Sequence, residues 1–121
     1  MLELEGRTVI ITGGATGIGF GLAKACGALG AHIVIGEPRQ ARLDEACEAL
    51  AQRGVSARSF ELDVTNADQM AHFAEEAFTA FGEVVLVINN AGIGQPRGSV
   101  IDTSFEDMQR VMAVNFEGVW R

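Results

Sequence analysis

The chain has 121 residues, of which 48% are hydrophobic and 21% charged, and its formal net charge at pH 7 is −7. These values are typical of one globular domain and exclude a disordered chain or an array of repeats. An acidic chain repels nucleic acid and anionic lipid, so neither nucleic acid nor a membrane is expected as a partner.

The sequence predicts a cytoplasmic protein. Its two cysteines, Cys26 and Cys47, have neither the spacing of a metal site nor that of a disulfide framework, so we expect free thiols in a reducing compartment. No apolar run approaches the length of a membrane span. The amino-terminal segment lacks the basic region and the long apolar core of a signal peptide.

Short apolar runs alternate with helical patterns along the first half of the chain. Arg7–Thr12 predicts a strand, and a helix rich in small residues follows over Ile18–Leu29. A second strand over His32–Gly36 precedes a helix over Arg39–Arg53, in which apolar residues recur at i, i+3 and i+4. Each helix is followed by a glycine, as is typical of a helix end.

The second half repeats this alternation. Ala57–Leu62 predicts a third strand, and the next helix begins after Thr65 or Asn66, either of which can cap it, and ends at Gly82. The fourth strand, Val84–Ile88, is apolar on both faces, which is typical of a central strand in a parallel sheet.

A loop then leads to a last predicted helix, where Thr103 and Glu106 match a capping box. Four strands joined by helices predict a parallel sheet covered on both faces. Right-handed crossovers make this an α/β fold of the doubly wound Rossmann type, with three layers, α/β/α, and the strand order 3-2-1-4.

The first turn from strand to helix, over residues 12–19, reads TGGATGIG. Glycine lets a ligand approach the backbone closely, and the free N–H groups and dipole of the helix start favour a pyrophosphate. A turn that only packs helix against strand is the alternative. A nucleoside-triphosphatase loop is excluded, because no Gly-Lys-Ser/Thr follows. The candidate cofactor contacts here are Gly13, Ala15, Thr16, Gly17, Ile18 and Gly19.

Glu37 stands at the end of the second predicted strand. A carboxylate in this place accepts hydrogen bonds from both ribose hydroxyls of a dinucleotide and repels a 2′-phosphate. An ordinary solvated loop carboxylate is the alternative. Arg39, two residues later, is a residue type that can hold a 2′-phosphate. The sequence therefore favours NAD and leaves NADP as the alternative cofactor.

Four motifs resemble those of the short-chain dehydrogenases/reductases. They are the glycine turn, the LDVT run at 62–65, the NNAG run at 89–92 and the VNFEG run at 114–118, in the family's order and over essentially the whole chain. The resemblance implies an NAD(P)-dependent oxidoreductase that transfers a hydride between the nicotinamide and an alcohol/ketone pair. Small-molecule alcohols or ketones are then the expected substrates.

The resemblance also implies roles for single residues. Asp63 would accept a hydrogen bond from the adenine amino group, with Val64 beside the ring, and Thr16 again favours NAD. Asn115 would bend its helix and orient a water in the proton relay, and its spacing points it into an apolar stripe. A cap or surface position is the alternative for Asn115, and a simple turn is the alternative for Asp63 and for the NNAG run. The implied contacts to the adenosine ribose are Asn90, Ala91 and Gly92.

The resemblance implies that the family's catalytic Ser and Tyr-x-x-x-Lys lie beyond the last predicted helix, and the chain contains no Tyr. We therefore expect residues 1–121 to be the incomplete, amino-terminal part of an NAD(P)-binding Rossmann domain, truncated after the fourth strand and the helix that follows it. Alone, these residues are expected to be inactive.

Two other functions remain open on the sequence. The first is a non-catalytic module that binds a dinucleotide or pairs with another subunit. The second is a methyltransferase-like domain, which the NNAG and LDVT runs disfavour. The resemblance implies that the last helix packs against its copy in another subunit, and this helix carries more apolar residues than one face needs, so a homodimer or homotetramer is expected of the full-length protein. The loop over 94–97 is expected to border the pocket mouth, and a solvated turn is the alternative.

Overall fold

The computed structural model describes residues 3–94 and 99–120. Four parallel strands form one sheet: β1 (Thr8–Thr12), β2 (His32–Glu37), β3 (Ala57–Glu61) and β4 (Val84–Asn89). Their order is β3-β2-β1-β4, which confirms the order predicted from the sequence. Each pair of neighbouring strands is parallel, with Ile10 opposite Val34 and Val87 on its two sides.

Helices connect the strands and cover both faces of the sheet. They are α1 (Gly17–Ala28), α2 (Gln40–Gln52), α3 (Ala67–Ala80) and α4 (Phe105–Met112). A 3₁₀ turn at Val100–Asp102 precedes α4; a π turn at Ala113–Glu117 and a last helical turn, α5 (Gly118–Trp120), follow it. The doubly wound Rossmann-type α/β fold is confirmed.

The core has two parts because successive side chains of a strand point to opposite faces. On one face, Val9 and Ile33 pack with Leu43 and Leu50 of α2. On the other, the residues next in sequence, Ile10 and Val34, pack with α3 residues and with Leu62; the α3 residues are Phe73 and Ala77. The strands β1 and β2 are therefore buried on both faces, which explains their continuous apolar runs.

The two predicted helix caps have different outcomes. Asn66 caps α3, since its Oδ1 accepts a hydrogen bond of 3.0 Å from the backbone N–H of Gln69. The capping box predicted at Thr103 and Glu106 is wrong, because Ser104 is the cap of α4. Its Oγ accepts from the N–H of Asp107 at 3.1 Å, while Thr103 donates to a preceding carbonyl. The pattern of a hydroxyl followed by an acid three residues later fits two frames one residue apart, and the extended backbone at 104 selects the second.

Apolar side chains remain exposed on β4 and α4. Val87 of β4 is 46% exposed, and within residues 3–94 and 99–120 this strand pairs only with β1. Phe105, Met108 and Met112 of α4 are all at least 44% exposed. No helix of the described residues is long and apolar enough to cross a membrane.

Candidate functional site

A cavity of about 340 Å³ opens at the carboxyl ends of β1, β2 and β4, where α1 begins. Most of the residues singled out on the sequence line this cavity, although they come from four separate stretches of chain. These lining residues are Gly13, Thr16, Ile18, Glu37, Asp63, Val64, Asn90, Ala91 and Gly92. Ligands of open α/β sheets bind at this edge, in the crevice beside the first strand.

The glycine turn brings β1 against the segment that follows β4. Gly13 has φ 65°, and a Cβ on it would lie 3.0 Å from the Cα of Ala91. A Cβ on Gly19 would collide with the carbonyl oxygen of Gly13 and lie 2.5 Å from Nδ2 of Asn90. These two glycines are therefore needed for packing inside the turn as well as for any ligand.

Two other predicted contacts differ in their access to the cavity. Gly17 has φ 57°, and a Cβ there would meet no atom within 4 Å, so the backbone borders open space. The side chain of Ala15 is buried in the core beside β1 and does not line the cavity. Only the backbone of Ala15 is then left to contact a ligand.

The start of α1 is suited to an anion. Thr16 is the N-cap with extended backbone, its side chain makes no capping hydrogen bond, and the first turn has no acidic residue. The first N–H groups of a helix have no partner within the helix, and here no capping side chain supplies one. A phosphate oxygen could take that place, favoured also by the helix dipole.

Thr12 joins the ends of β1 and β4 at the floor of the site. Its Oγ1 accepts hydrogen bonds of 3.1 Å from the backbone N–H groups of Asn90 and Ala91. The Asn90 side chain in turn donates from Nδ2 to the carbonyl of Gly13, also at 3.1 Å. Thr12 was not predicted as a site residue from the sequence. A threonine at the last position of a predicted strand, directly before glycine, was the available signal in the sequence.

Glu37 is the last residue of β2 and is only 3% exposed. This burial excludes the alternative of a solvated loop carboxylate. Its Oε1 accepts a hydrogen bond of 2.7 Å from Nε of Arg39, whose side chain is 54% exposed. A buried carboxylate needs such a partner, because an unpaired charge away from water is costly. The ion pair was not predicted from the sequence.

Asp63 starts the turn that leads into α3. Its Oδ1 accepts from the N–H of Thr65 at 2.9 Å and from the hydroxyl of Thr65 at 2.6 Å. Its own N–H donates to Oε1 of Gln69 at 2.8 Å. Asp63 therefore has a structural turn role at the cavity wall, and its role toward adenine stays a prediction.

Asn115 lies in the π turn and is exposed, so the prediction that it points into a buried apolar stripe is wrong. The π turn inserts a residue and so shifts the helical phase on which that prediction relied. Both ends of the amide bind one residue: Oδ1 accepts from the N–H of Ile93 and Nδ2 donates to its carbonyl, each at 2.8 Å. Asn115 thus holds the segment after β4; its catalytic role stays a prediction.

Outside the cavity, two predictions concern the cysteines and the loop after Ile93. Cys26 is a buried free thiol, and burial raises its pKa. Across residues 3–94 and 99–120 there is no group of His, Cys, Asp and Glu able to hold a metal ion. Gln95, Pro96 and Arg97, predicted to border the pocket mouth, lie outside the described residues.

The family described as short chain dehydrogenase matches residues 7–121 of the chain. A Bacillus subtilis protein named uncharacterized oxidoreductase YxbG is 34% identical over 120 residues, which are 99% of this chain and 44% of that protein. The L-rhamnose 1-dehydrogenase (NADP(+)) of Thermoplasma acidophilum is also 34% identical, over 100% of this chain and 44% of its own length.

A crystal structure of a short chain dehydrogenase/reductase from Burkholderia phymatum, in complex with NAD, has the same fold. It superposes with a TM-score of 0.92 at 32% identity, over 99% of this chain and 42% of that one. The chain thus spans less than half the length of these relatives.

Proposed function

Because the chain belongs to the short chain dehydrogenase family, we propose that its cavity binds a nicotinamide adenine dinucleotide. The observation that carries this proposal is the meeting of an uncapped helix start and a buried carboxylate in one cavity. These two features suit the pyrophosphate and the adenosine ribose of a dinucleotide, respectively.

In this proposal each part of the adenosine half meets a different element. The turn at 13–19 holds the pyrophosphate, and Glu37 accepts hydrogen bonds from the ribose hydroxyls. Asp63 and Val64 contact the adenine, and the segment 90–92 borders the adenosine ribose. The match between this division and the cavity lining supports it. The bound nicotinamide supplies the carbon that carries the hydride.

We propose NAD as the preferred cofactor. Glu37 is buried and paired with Arg39, so a 2′-phosphate would lie beside an ion pair of zero net charge, whereas ribose hydroxyls can donate hydrogen bonds to the carboxylate. Relatives named or solved with NAD and with NADP both occur, so the comparisons support the nicotinamide without choosing between them.

The proposed reaction is hydride transfer between this cofactor and a small alcohol/ketone pair. The sequence has no Tyr, so these residues supply the nucleotide-binding side of the reaction and not the tyrosine acid–base group that the family resemblance implies. Turnover of NADH by the purified 121 residues with a panel of ketones would contradict the prediction that these residues alone are inactive.

We further propose a cytoplasmic protein that forms a homodimer or homotetramer when full length. The support for assembly is the apolar face of α4, where a groove of about 530 Å³ runs beside Ile93, Phe105, Met108 and Met112. Apolar patches of this kind usually mark an interaction surface. Sedimentation velocity of the purified protein measures the assembly state directly.

The binding proposal is tested with NADH fluorescence and with two matched variants, one in the first turn of α1 and one at its C-cap. Ile18 at the start of α1 is 79% exposed and lines the cavity, and Leu29 at the other end is 65% exposed and does not. Ile18→Glu places a negative charge at the proposed pyrophosphate position and should weaken NADH binding about tenfold or more. Leu29→Glu makes the same change of charge and should leave binding unaltered.

Three results would contradict the proposal. The folded wild-type protein fails to bind NADH, or the two variants weaken binding equally. The third is displacement of NADH by S-adenosylmethionine, which would favour a methyltransferase-like site.

A further inference from the structure

We infer that Arg39 determines cofactor specificity through its ion pair with Glu37: the pair orients the carboxylate for a ribose and withholds the guanidinium from a 2′-phosphate. The inference rests on the proposed dinucleotide function and deepens it. In this inference the guanidinium of Arg39 is able to bind a phosphate, but its ion pair with Glu37 keeps it from doing so.

The two side chains stand side by side but in different surroundings. Glu37 is the last residue of β2, and Pro38 follows it. Arg39 occupies the N-cap position of α2, with extended backbone at φ −109° and ψ 109°. The Glu37 side chain is 4% exposed and that of Arg39 is 54% exposed. Both residues line the cavity, so the pair joins a buried anion to a cation at its open side.

The ion pair uses only part of each group. Nε of Arg39 donates to Oε1 of Glu37 at 2.7 Å, and within the described residues no hydrogen bond reaches Oε2. A carboxylate has further acceptor sites, so Oε2 is left for ribose hydroxyls. A guanidinium has five N–H donors, so Arg39 keeps donors for a second partner, and its planar fork matches a phosphate.

The ion pair determines whether Glu37 binds a ribose or Arg39 binds a 2′-phosphate. If Arg39 turned to a 2′-phosphate, Glu37 would stay behind as a buried carboxylate without its partner, which is costly. If Arg39 stayed, the phosphate dianion would lie near a pair of zero net charge and would be stabilised little. Either way NADP is disfavoured, although a suitable cation is already present.

The consequence is an asymmetric pair of variants. Glu37→Gln removes the charge that holds Arg39 while keeping the shape of the side chain, so the guanidinium becomes available to a 2′-phosphate without any added cation. Arg39→Gln leaves Glu37 buried and unpaired, so ribose binding should weaken although no group that touches the ribose was removed.

The experiment is isothermal titration of the purified protein with adenosine 5′-monophosphate and with adenosine 2′,5′-bisphosphate. Wild type should favour the monophosphate. Glu37→Gln should shift the ratio of the two dissociation constants toward the bisphosphate by about tenfold or more, as expected for one new charge-assisted hydrogen bond. The double variant of Glu37→Gln with Arg39→Gln should show no such shift.

Two further variants separate this role from charge or stability effects. Arg42→Gln removes one positive charge from the same helix away from Glu37 and should leave both affinities unchanged. Arg39→Gln should weaken the monophosphate several-fold, and Arg39→Lys should restore part of it, because an ammonium can pair with the carboxylate. Circular dichroism checks that each variant is folded.

The outcomes are distinguishable. A folded wild-type protein that binds neither probe overturns the proposed function and this inference together. Monophosphate binding by wild type, with no shift in Glu37→Gln or an equal shift in the double variant, overturns the role of Arg39 alone. Should Glu37→Gln fail to fold, unchanged monophosphate affinity in Arg39→Gln overturns it as well.

Discussion

Thr8 and Thr12 offer a test of the hydrogen bonding along β1, because the same substitution should act in opposite directions at the two ends of one strand. Both are buried, at 0% and 5% exposure, and they lie four residues apart on one face of the sheet. Within the described residues the Thr8 hydroxyl has no hydrogen-bond partner, whereas that of Thr12 accepts two backbone N–H groups.

Replacing each threonine by valine exchanges a hydroxyl for a methyl group and keeps the β-branched shape that strands favour. At position 8 the change removes a buried unpaired hydroxyl, so Thr8→Val should raise the free energy of unfolding by about 1 kcal/mol. At position 12 it removes two hydrogen bonds of about 1 kcal/mol each, so Thr12→Val should lower that free energy by about 2 kcal/mol. The two variants should therefore differ by roughly 3 kcal/mol.

The measurement is urea unfolding followed by circular dichroism, with the slope m compared among the three proteins. An unchanged m shows that the shift in midpoint reflects stability. Thermal unfolding gives a second readout, in which 1 kcal/mol corresponds to about 4 °C. Destabilisation of similar size in both variants would refute the reasoning, because it would mean that the Thr8 hydroxyl has a partner.

Three further predictions follow from the packing and capping of the helices. Gly19→Ala should destabilise the protein by about 1–3 kcal/mol, since a Cβ at this position has no room in the glycine turn. Gly21→Ala on the same helix meets nothing within 4 Å and should stabilise the protein by about 0.5–1 kcal/mol. Denaturant unfolding midpoints measure both effects, and stability changes of the same sign in the two variants would contradict the geometry. Asn66→Ala should cost about 1 kcal/mol through loss of the α3 cap, and Asn66→Asp should retain most of that stability in the same assay. Cys26, whose pKa is raised by burial, should react with iodoacetamide much more slowly than the half-buried Cys47 in the native protein. In urea the two cysteines should react at similar rates. Equal labelling rates of the native protein, measured by mass spectrometry, would contradict the burial of Cys26.

The architecture followed from the sequence because it is encoded locally. The runs that became β1 and β2 are apolar without alternation, as strands covered on both faces must be, and α2 shows its apolar stripe at helical spacing. The handedness of crossover connections then left the strand order β3-β2-β1-β4. The cavity followed too, since the ends of parallel strands meet at one edge.

Side-chain partners could not be predicted in the same way. Thr12 binds a backbone group 78 residues away, and Asn115 binds one 22 residues away, so neither interaction leaves a local pattern. The π turn around Asn115 also broke the helical phase on which its predicted burial depended. The cap of α4 moved by one residue because two frames satisfy the same motif, and only the backbone conformation at Ser104 separates them.

Glu37 combines a feature that the sequence predicted with features that only the tertiary structure revealed. Its place at the end of β2 was readable from the strand and the glycine turn before it. Its burial and its hydrogen bond to Arg39 depend on how β2, α2 and the cavity wall are packed around it. Periodicity and turn residues act between neighbours in the chain, so the sequence alone determined the elements and their order. Pairing and burial of polar groups depend on distances across the fold, so only the tertiary structure decided them.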